Sequence, residues 1–180
     1  MLQYRKLSAE EICPQLWDGF IRRQLVGACW RKIDGAWCVR DDPFVDDWSP
    51  DDIRALAEEL QQTALAGGLV LAAFDGGAMK GFVSVEAEPF GAEGEYLDLT
   101  NLHVSEEMRG RGIGTALFSE ARAYARERGA KKLYLSAHSA VETIAFYRKL
   151  GCVEARIRHQ KHIEAEPFDC QLECAAKPPE

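Results

Sequence analysis

Arg109, Gly110, Arg111, Gly112, Ile113 and Gly114 are the residues whose types and spacing most directly suggest chemistry. An apolar run from Tyr96 to Val104 leads into them, and an amphipathic run from about Gly112 to Arg128 leaves them. A strand that turns straight into a helix leaves the first helical N–H groups without carbonyl partners, at the positive end of the helix dipole. Glycines at 110, 112 and 114 let a bound group approach the backbone without meeting a Cβ. Arg109 and Arg111 add formal positive charge. The expected guest is an anion, and phosphate is the simplest candidate.

Two other phosphate turns are excluded by spacing. A dinucleotide-binding turn needs a different glycine spacing and a βαβ unit ending on an acidic residue. A Walker-type loop needs Lys-Ser/Thr after its glycines, and none follows here.

The elements that must hold this turn can be read along the chain. Leu2 to Lys6 predicts a short strand. Ser8 as N-cap, with Glu10 and Glu11 behind it, predicts a helix from about Ala9 to Val26, burying Ile12, Leu16, Trp17 and Phe20, with Pro14 delaying or kinking its start. Asp34-Gly35 predicts a hairpin within Cys29 to Arg40. Ser49, Pro50, Asp51 and Asp52 predict a helix start, with Ile53, Leu56, Ala57 and Leu60 inward and Gly67-Gly68 closing it. Leu69 to Phe74 and Met79 to Glu88 predict an antiparallel pair, with Gly81 marking a bulge or a close approach. Strands over Tyr96 to Val104 and Lys131 to Ala137 flank the amphipathic helix. A short helix from Ala140 to Leu150 and last strands over Cys152 to Arg158 and Phe168 to Cys174 complete the set. The expectation is one domain over residues 1–180, with residues 175–180 a frayed tail.

Composition narrows the classes. The 180 residues are 47% hydrophobic and 28% charged, as in a globular protein with a sizeable core. A net charge of −7 argues against non-specific nucleic-acid binding. No apolar run approaches the roughly 20 residues needed to span a bilayer, and the N-terminus lacks the pattern of a signal peptide. A cytoplasmic location is expected. Cys13, Cys29, Cys38, Cys152, Cys170 and Cys174 form no CxxC pair and match no zinc spacing, so reduced thiols and no metal are expected.

With these elements around it, Arg109-Gly110-Arg111-Gly112-Ile113-Gly114 resembles the R/Q-x-x-G-x-G/A signature of the GCN5-related N-acetyltransferases (GNAT). Ala145-Phe146-Tyr147-Arg148-Lys149-Leu150-Gly151 resembles that family's second motif, and the element order fits over nearly the whole chain. The resemblance implies the acyl-CoA N-acyltransferase fold: a mixed α/β, α+β-like domain with a central, mostly antiparallel, splayed sheet of about six to seven strands and helices on both faces. It also implies acetyl-CoA as acyl donor, with its pyrophosphate on residues 109–114 and Thr115. The pantetheine arm would lie along the backbone of Leu102, His103 and Val104. The family often carries an asparagine where this chain has Ala140, and Ser139 or His138 could take over that hydrogen bond.

By the same resemblance Tyr147 is the general acid for the departing thiolate, with packing beside Phe146 as the alternative. A protonated amine of pKa near 10 needs a base. Asp98, inside an apolar strand and eleven residues before Arg109, is the first candidate. Glu95, His103 or a water path are the others, and a salt-bridged or edge-exposed Asp98 is the alternative. The family's acceptor region corresponds here to Trp30, Trp37, the acidic Asp41–Asp52 segment with Asp46 and Trp48, and the late His159, His162, Glu164 and Glu166. Aromatics beside carboxylates suit a cationic acceptor. The expected reaction is transfer to a primary amine of a small molecule by direct attack in a ternary complex. A protein or peptide acceptor and a non-catalytic acetyl-CoA-binding module are the alternatives. Family members often dimerise, which makes a homodimer an open expectation.

Overall fold

The computed structural model describes residues 1–177. Strand β1 (Gln3–Lys6) precedes two 3-10 turns, Ala9–Glu11 and Pro14–Trp17. Strands β2 (Arg23–Ile33) and β3 (Ala36–Asp47) form a hairpin, followed by helix α1 (Pro50–Leu65). Strands β4 (Leu69–Asp75), β5 (Ala78–Val85) and β6 (Tyr96–Val104) lead to helix α2 (Ile113–Glu127). Strand β7 (Lys132–Ala137), helix α3 (Val141–Lys149), strand β8 (Val153–Glu154), helix α4 (Gln160–Ala165) and strand β9 (Cys170–Ala175) end the fold.

Seven strands make one mixed sheet in the order β1-β4-β5-β6-β7-β9-β8, in which only β6 and β7 run parallel. Strand β4 shows why the sheet needs cover on both sides. Leu69, Leu71 and Ala73 join the core that holds Ile113, Leu117 and Ala121 of α2. Val70, Ala72 and Phe74 alternate into a second core with Leu56, Ala57 and Leu60 of α1.

Local signals set most of these elements. The Ser49 hydroxyl accepts the Asp52 amide at 3.2 Å and the Asp52 carboxylate accepts the Ser49 amide at 2.7 Å, a reciprocal cap for α1. Such a cap contributes about 1 kcal/mol. Asp34 and Gly35 both adopt positive φ, 49° and 81°, as the two-residue hairpin between β2 and β3 requires. Both readings of Gly81 hold. The β4–β5 register shifts between Ala73, opposite Gly81, and Phe74. A Cβ on Gly81 would also lie 2.9 Å from Ile113 Cγ2, so its absence lets α2 sit on the sheet.

Three expectations need correction. The helix predicted from Ala9 to Val26 is replaced by the two 3-10 turns and the first residues of β2. Pro14 cannot continue a helix and instead opens the second turn. Gly19 then adopts a φ of 78°, and Arg23 onward pairs with β3. The predicted inward residues Ile12 and Trp17 are nevertheless buried, against α1. The strand predicted over Cys152 to Arg158 is short, because the Arg156 amide donates to the Glu173 carboxylate instead of a ladder partner. Helix α4 follows in the segment between the two predicted strands, to which no element was assigned. Of the tail expected to fray, Ala175 belongs to β9 and Ala176 is buried, its amide donating to the Lys131 carbonyl at 2.9 Å. Residues 178–180 lie outside the described residues.

Candidate active site

The site begins where β6 leaves β7. The two strands pair only over Tyr96–Asp98 and Lys132–Tyr134. An extra residue, Thr100, interrupts the β5–β6 register between Leu99 and Asn101. Beyond it β6 stays with β5 up to Val104, while β7 stays with β9 up to Ala137. The β7-facing edge of β6 is therefore left without a strand partner over its last residues.

At the end of β6 the chain enters the Arg109–Gly112 turn. Gly110 and Gly112 have φ of 74° and 81°, where an L-residue is strained. Gly112 is the N-cap of α2, and no side chain caps the helix start. The first amides of α2 are thus available to an outside acceptor. Gly114 completes the cradle. A Cβ there would stand 3.2 Å from Phe146 Cζ and 3.6 Å from Val104 Cγ2. A cleft of about 790 Å3 opens over this turn. Its walls include Leu102, Val104, Arg109, Gly110, Gly112, Ile113, Gly114, Thr115 and Tyr147. A long anionic group with an extended arm fits such a cleft, its charged end at the α2 amides and its arm along β6.

Tyr147, on α3, is 7% exposed and lies between Phe118 and Phe146. Its hydroxyl has no hydrogen-bond partner among the described residues. Burial, with the carboxylate of Asp169 and the thiol of Cys152 nearby, pushes its phenol well above the usual tyrosine range. It stays protonated at neutral pH and is available as a proton donor.

Asp98 is 5% exposed and accepts His162 Nε2 of α4 at 2.6 Å. It is the last β6 residue paired with β7. Leu97 and Leu99, its neighbours, turn into the α2 core, so Asp98 and Tyr96 face the opposite side of the sheet. The same side carries Asp169, whose carboxyl accepts Ser136 at 3.0 Å and is raised above its ordinary range by burial.

Several predicted residues lie outside the cleft. His103 faces away from it, edge-on to Trp48 at 4.7 Å between ring centroids. Burial and the charges of Arg22 and Arg109 lower its pKa to about 3, so it is neutral. Arg111 is exposed and does not line the cleft. Ser139 is buried and holds the hairpin: its hydroxyl accepts Arg31 at 2.6 Å and its carbonyl accepts the Trp30 amide at 2.8 Å. Trp30 packs under the Arg148 guanidinium at 4.6 Å. Glu95 accepts the Glu93 amide within its own loop.

The acidic segment is largely engaged internally. Asp42 pairs with Arg31, Asp46 with Arg22 and Asp51 with Arg54. Asp47 accepts the Trp48 amide, and Asp52 caps α1. Sequence reasoning missed the cleft residues Gln24, Leu25, Thr143 and Lys149. Gln24 donates to Thr143 at 3.2 Å, joining β2 to α3 at the cleft. No local signal marks these residues, since a long-range docking of the hairpin brings them there. Asp169 was missed because the pairing of β9 with β7 is what carries it to Ser136. No group of three or more His, Cys, Asp or Glu able to hold a metal ion occurs among the described residues. No helix among them is long and apolar enough to cross a membrane.

The acetyltransferase (GNAT) family profile matches residues 33–152, two thirds of the chain, which therefore belongs to that family. Solved structures of similar fold include nourseothricin acetyltransferase, at 18% identity and TM-score 0.71, covering 98% of this chain and 99% of that one. The PaiA N-acetyltransferase of Thermoplasma acidophilum, solved with coenzyme A, is 18% identical with TM-score 0.58, covering 97% and 99%. An aminoglycoside 6'-N-acetyltransferase, also solved with coenzyme A, is 19% identical with TM-score 0.55, covering 69% and 81%. Among curated proteins, none matches this sequence.

Proposed function

We propose that this protein transfers the acetyl group of acetyl-CoA to a primary amine of a small molecule, by direct attack within a ternary complex. The observation that carries this reading is one cleft holding both the uncapped α2 start and the buried Tyr147 phenol. Acetyl-CoA supplies the activated acyl group. The turn from Arg109 to Thr115 holds its diphosphate, with Arg109 on the cleft wall adding charge. The β7-facing backbone edge over Leu102, His103 and Val104, which has no strand partner, receives its pantetheine arm, and the Val104 carbonyl there already accepts Arg109 Nε at 3.2 Å.

The chain's own groups supply the rest. Tyr147 keeps its proton until the sulfur leaves, and then gives it up. Asp98 and its partner His162 lie on the opposite face of the sheet, where β6 and β7 part, and serve the amine. The solved structures of similar fold named for nourseothricin and aminoglycoside substrates support a small amine-bearing acceptor. A net charge of −7 argues against a nucleic-acid acceptor.

The test is a panel of small amines with acetyl-CoA, read as release of free CoA thiol and by mass of the product. Acetylation of one or more amines is expected. Turnover confined to peptides would replace the small-molecule reading. Tight acetyl-CoA binding with no turnover on any amine would leave a binding module.

A further inference from the structure

Asp98 and His162 make the closest contact between a carboxylate and an imidazole in the fold, yet the two groups meet solvent differently. The Asp98 side chain is 7% exposed, and its Oδ1 is buried without a partner. The His162 side chain is 16% exposed, and its Nδ1 is neither buried nor bonded to protein. An incoming amine therefore meets the imidazole before it can meet the carboxylate.

We propose that His162, through Nδ1, takes the proton from the acceptor nitrogen, and that Asp98 is its positioning residue. This rests on the acetyltransferase reading above. An ionised carboxylate can only accept hydrogen bonds, so the contact at Nε2 requires the proton there and leaves the lone pair on Nδ1. The short bond fixes that tautomer and the plane of the ring. Tyr134 of β7 stacks on the ring at 6.0 Å, and His159, the N-cap residue of α4, lies 5.1 Å away. Asp169, ahead of β9, and Glu166, at the end of α4, bring the other nearby charges.

The step balances as follows. The ammonium gives one proton to Nδ1, and its freed lone pair forms the C–N bond to the acetyl carbon. The C–S bond breaks as Tyr147 protonates the sulfur. The nitrogen's second surplus proton returns to the phenolate through solvent, and His162 releases its own. The sum is amide, free thiol and one proton.

Histidine-15N NMR, assigned with His162→Gln, tests the tautomer without any amine. A bare Nδ1 and a protonated Nε2 on His162 are expected, and the opposite tautomer overturns the proposal. Kinetics supply the second readout. His162→Gln should lower kcat by about 10^2 to 10^4 near pH 7, with the KM for acetyl-CoA within about twofold. The gap should close as pH approaches the amine's own pKa near 10, where free amine needs no base. Asp98→Asn should fall by a similar factor, and the double variant no further. An unchanged rate, or a loss independent of pH, overturns the assignment. A wild-type protein that acetylates no amine instead overturns the function, while the NMR result still decides the tautomer.

Discussion

Gly114 of α2 faces Phe146 of α3 at close range: a Cβ on Gly114 would stand 3.2 Å from the Phe146 ring. The first turn of α2 and the body of α3 touch there, one residue before Tyr147. Gly114→Val should therefore displace α3 and narrow the cleft, destabilising the fold by about 1–3 kcal/mol and weakening acetyl-CoA binding at least tenfold. Adding Phe146→Leu should recover part of the thermal stability. Calorimetry of unfolding and of binding checks both.

Charge and strain at the α2 cap can be separated. Gly112 has a φ of 81°, which Asn and Asp tolerate better than other L-residues. Gly112→Asn and Gly112→Asp should melt at similar temperatures. Asp alone sets a negative charge against the cosubstrate's diphosphate, and its acetyl-CoA Kd should rise about tenfold above that of Asn. Equal affinities in a titration would remove the diphosphate from this turn.

Tyr147→Phe keeps the packing between Phe118 and Phe146 but removes the proton. A drop in kcat of about 10^2 or more is expected, with the acetyl-CoA KM little changed. The sign of the pH effect follows from burial, which raises the phenol pKa. A raised acid keeps its proton to higher pH, so the wild-type rate should show no loss from phenol ionisation below about pH 10. Steady-state kinetics from pH 6 to 10 decide this.

Ser139→Ala tests whether that hydroxyl anchors the hairpin or touches the pantetheine. Removing the acceptor for Arg31 should cost about 1 kcal/mol of stability and leave the acetyl-CoA Kd within twofold. A large loss of affinity without a fall in melting temperature would assign Ser139 to the cosubstrate instead.

The strand, turn and helix of the proposed donor side are local in sequence, and that is why these elements could be read there. The run from Tyr96 to Gly129 carries its own strand, turn and helix signals, and its predicted β6 bounds match those found. Tyr147 follows the same way from its motif. The hairpin could not be read as well. Arg23–Ile33 lies outside the main sheet, paired along its length with β3 and joined to the segment before α3 by a bridge between Cys29 and Ala140, so its alternation is weak and the helical spacing of Leu16 and Phe20 ran on into it. The bulge at Thr100 and the approach of His162 to Asp98 depend on residues 16 and 64 positions away, and no local pattern encodes either.

The parallel contact between β6 and β7 is three residue pairs long. The main sheet is thus two half-sheets, β1-β4-β5-β6 and β7-β9-β8, held by a short seam and by the cores on either side. An extended arm lying along the free β6 edge would lengthen that seam from outside. Cooperativity between the two halves would then be a property that a bound cosubstrate completes, and occupancy of the cleft would become part of what makes this chain unfold as one unit.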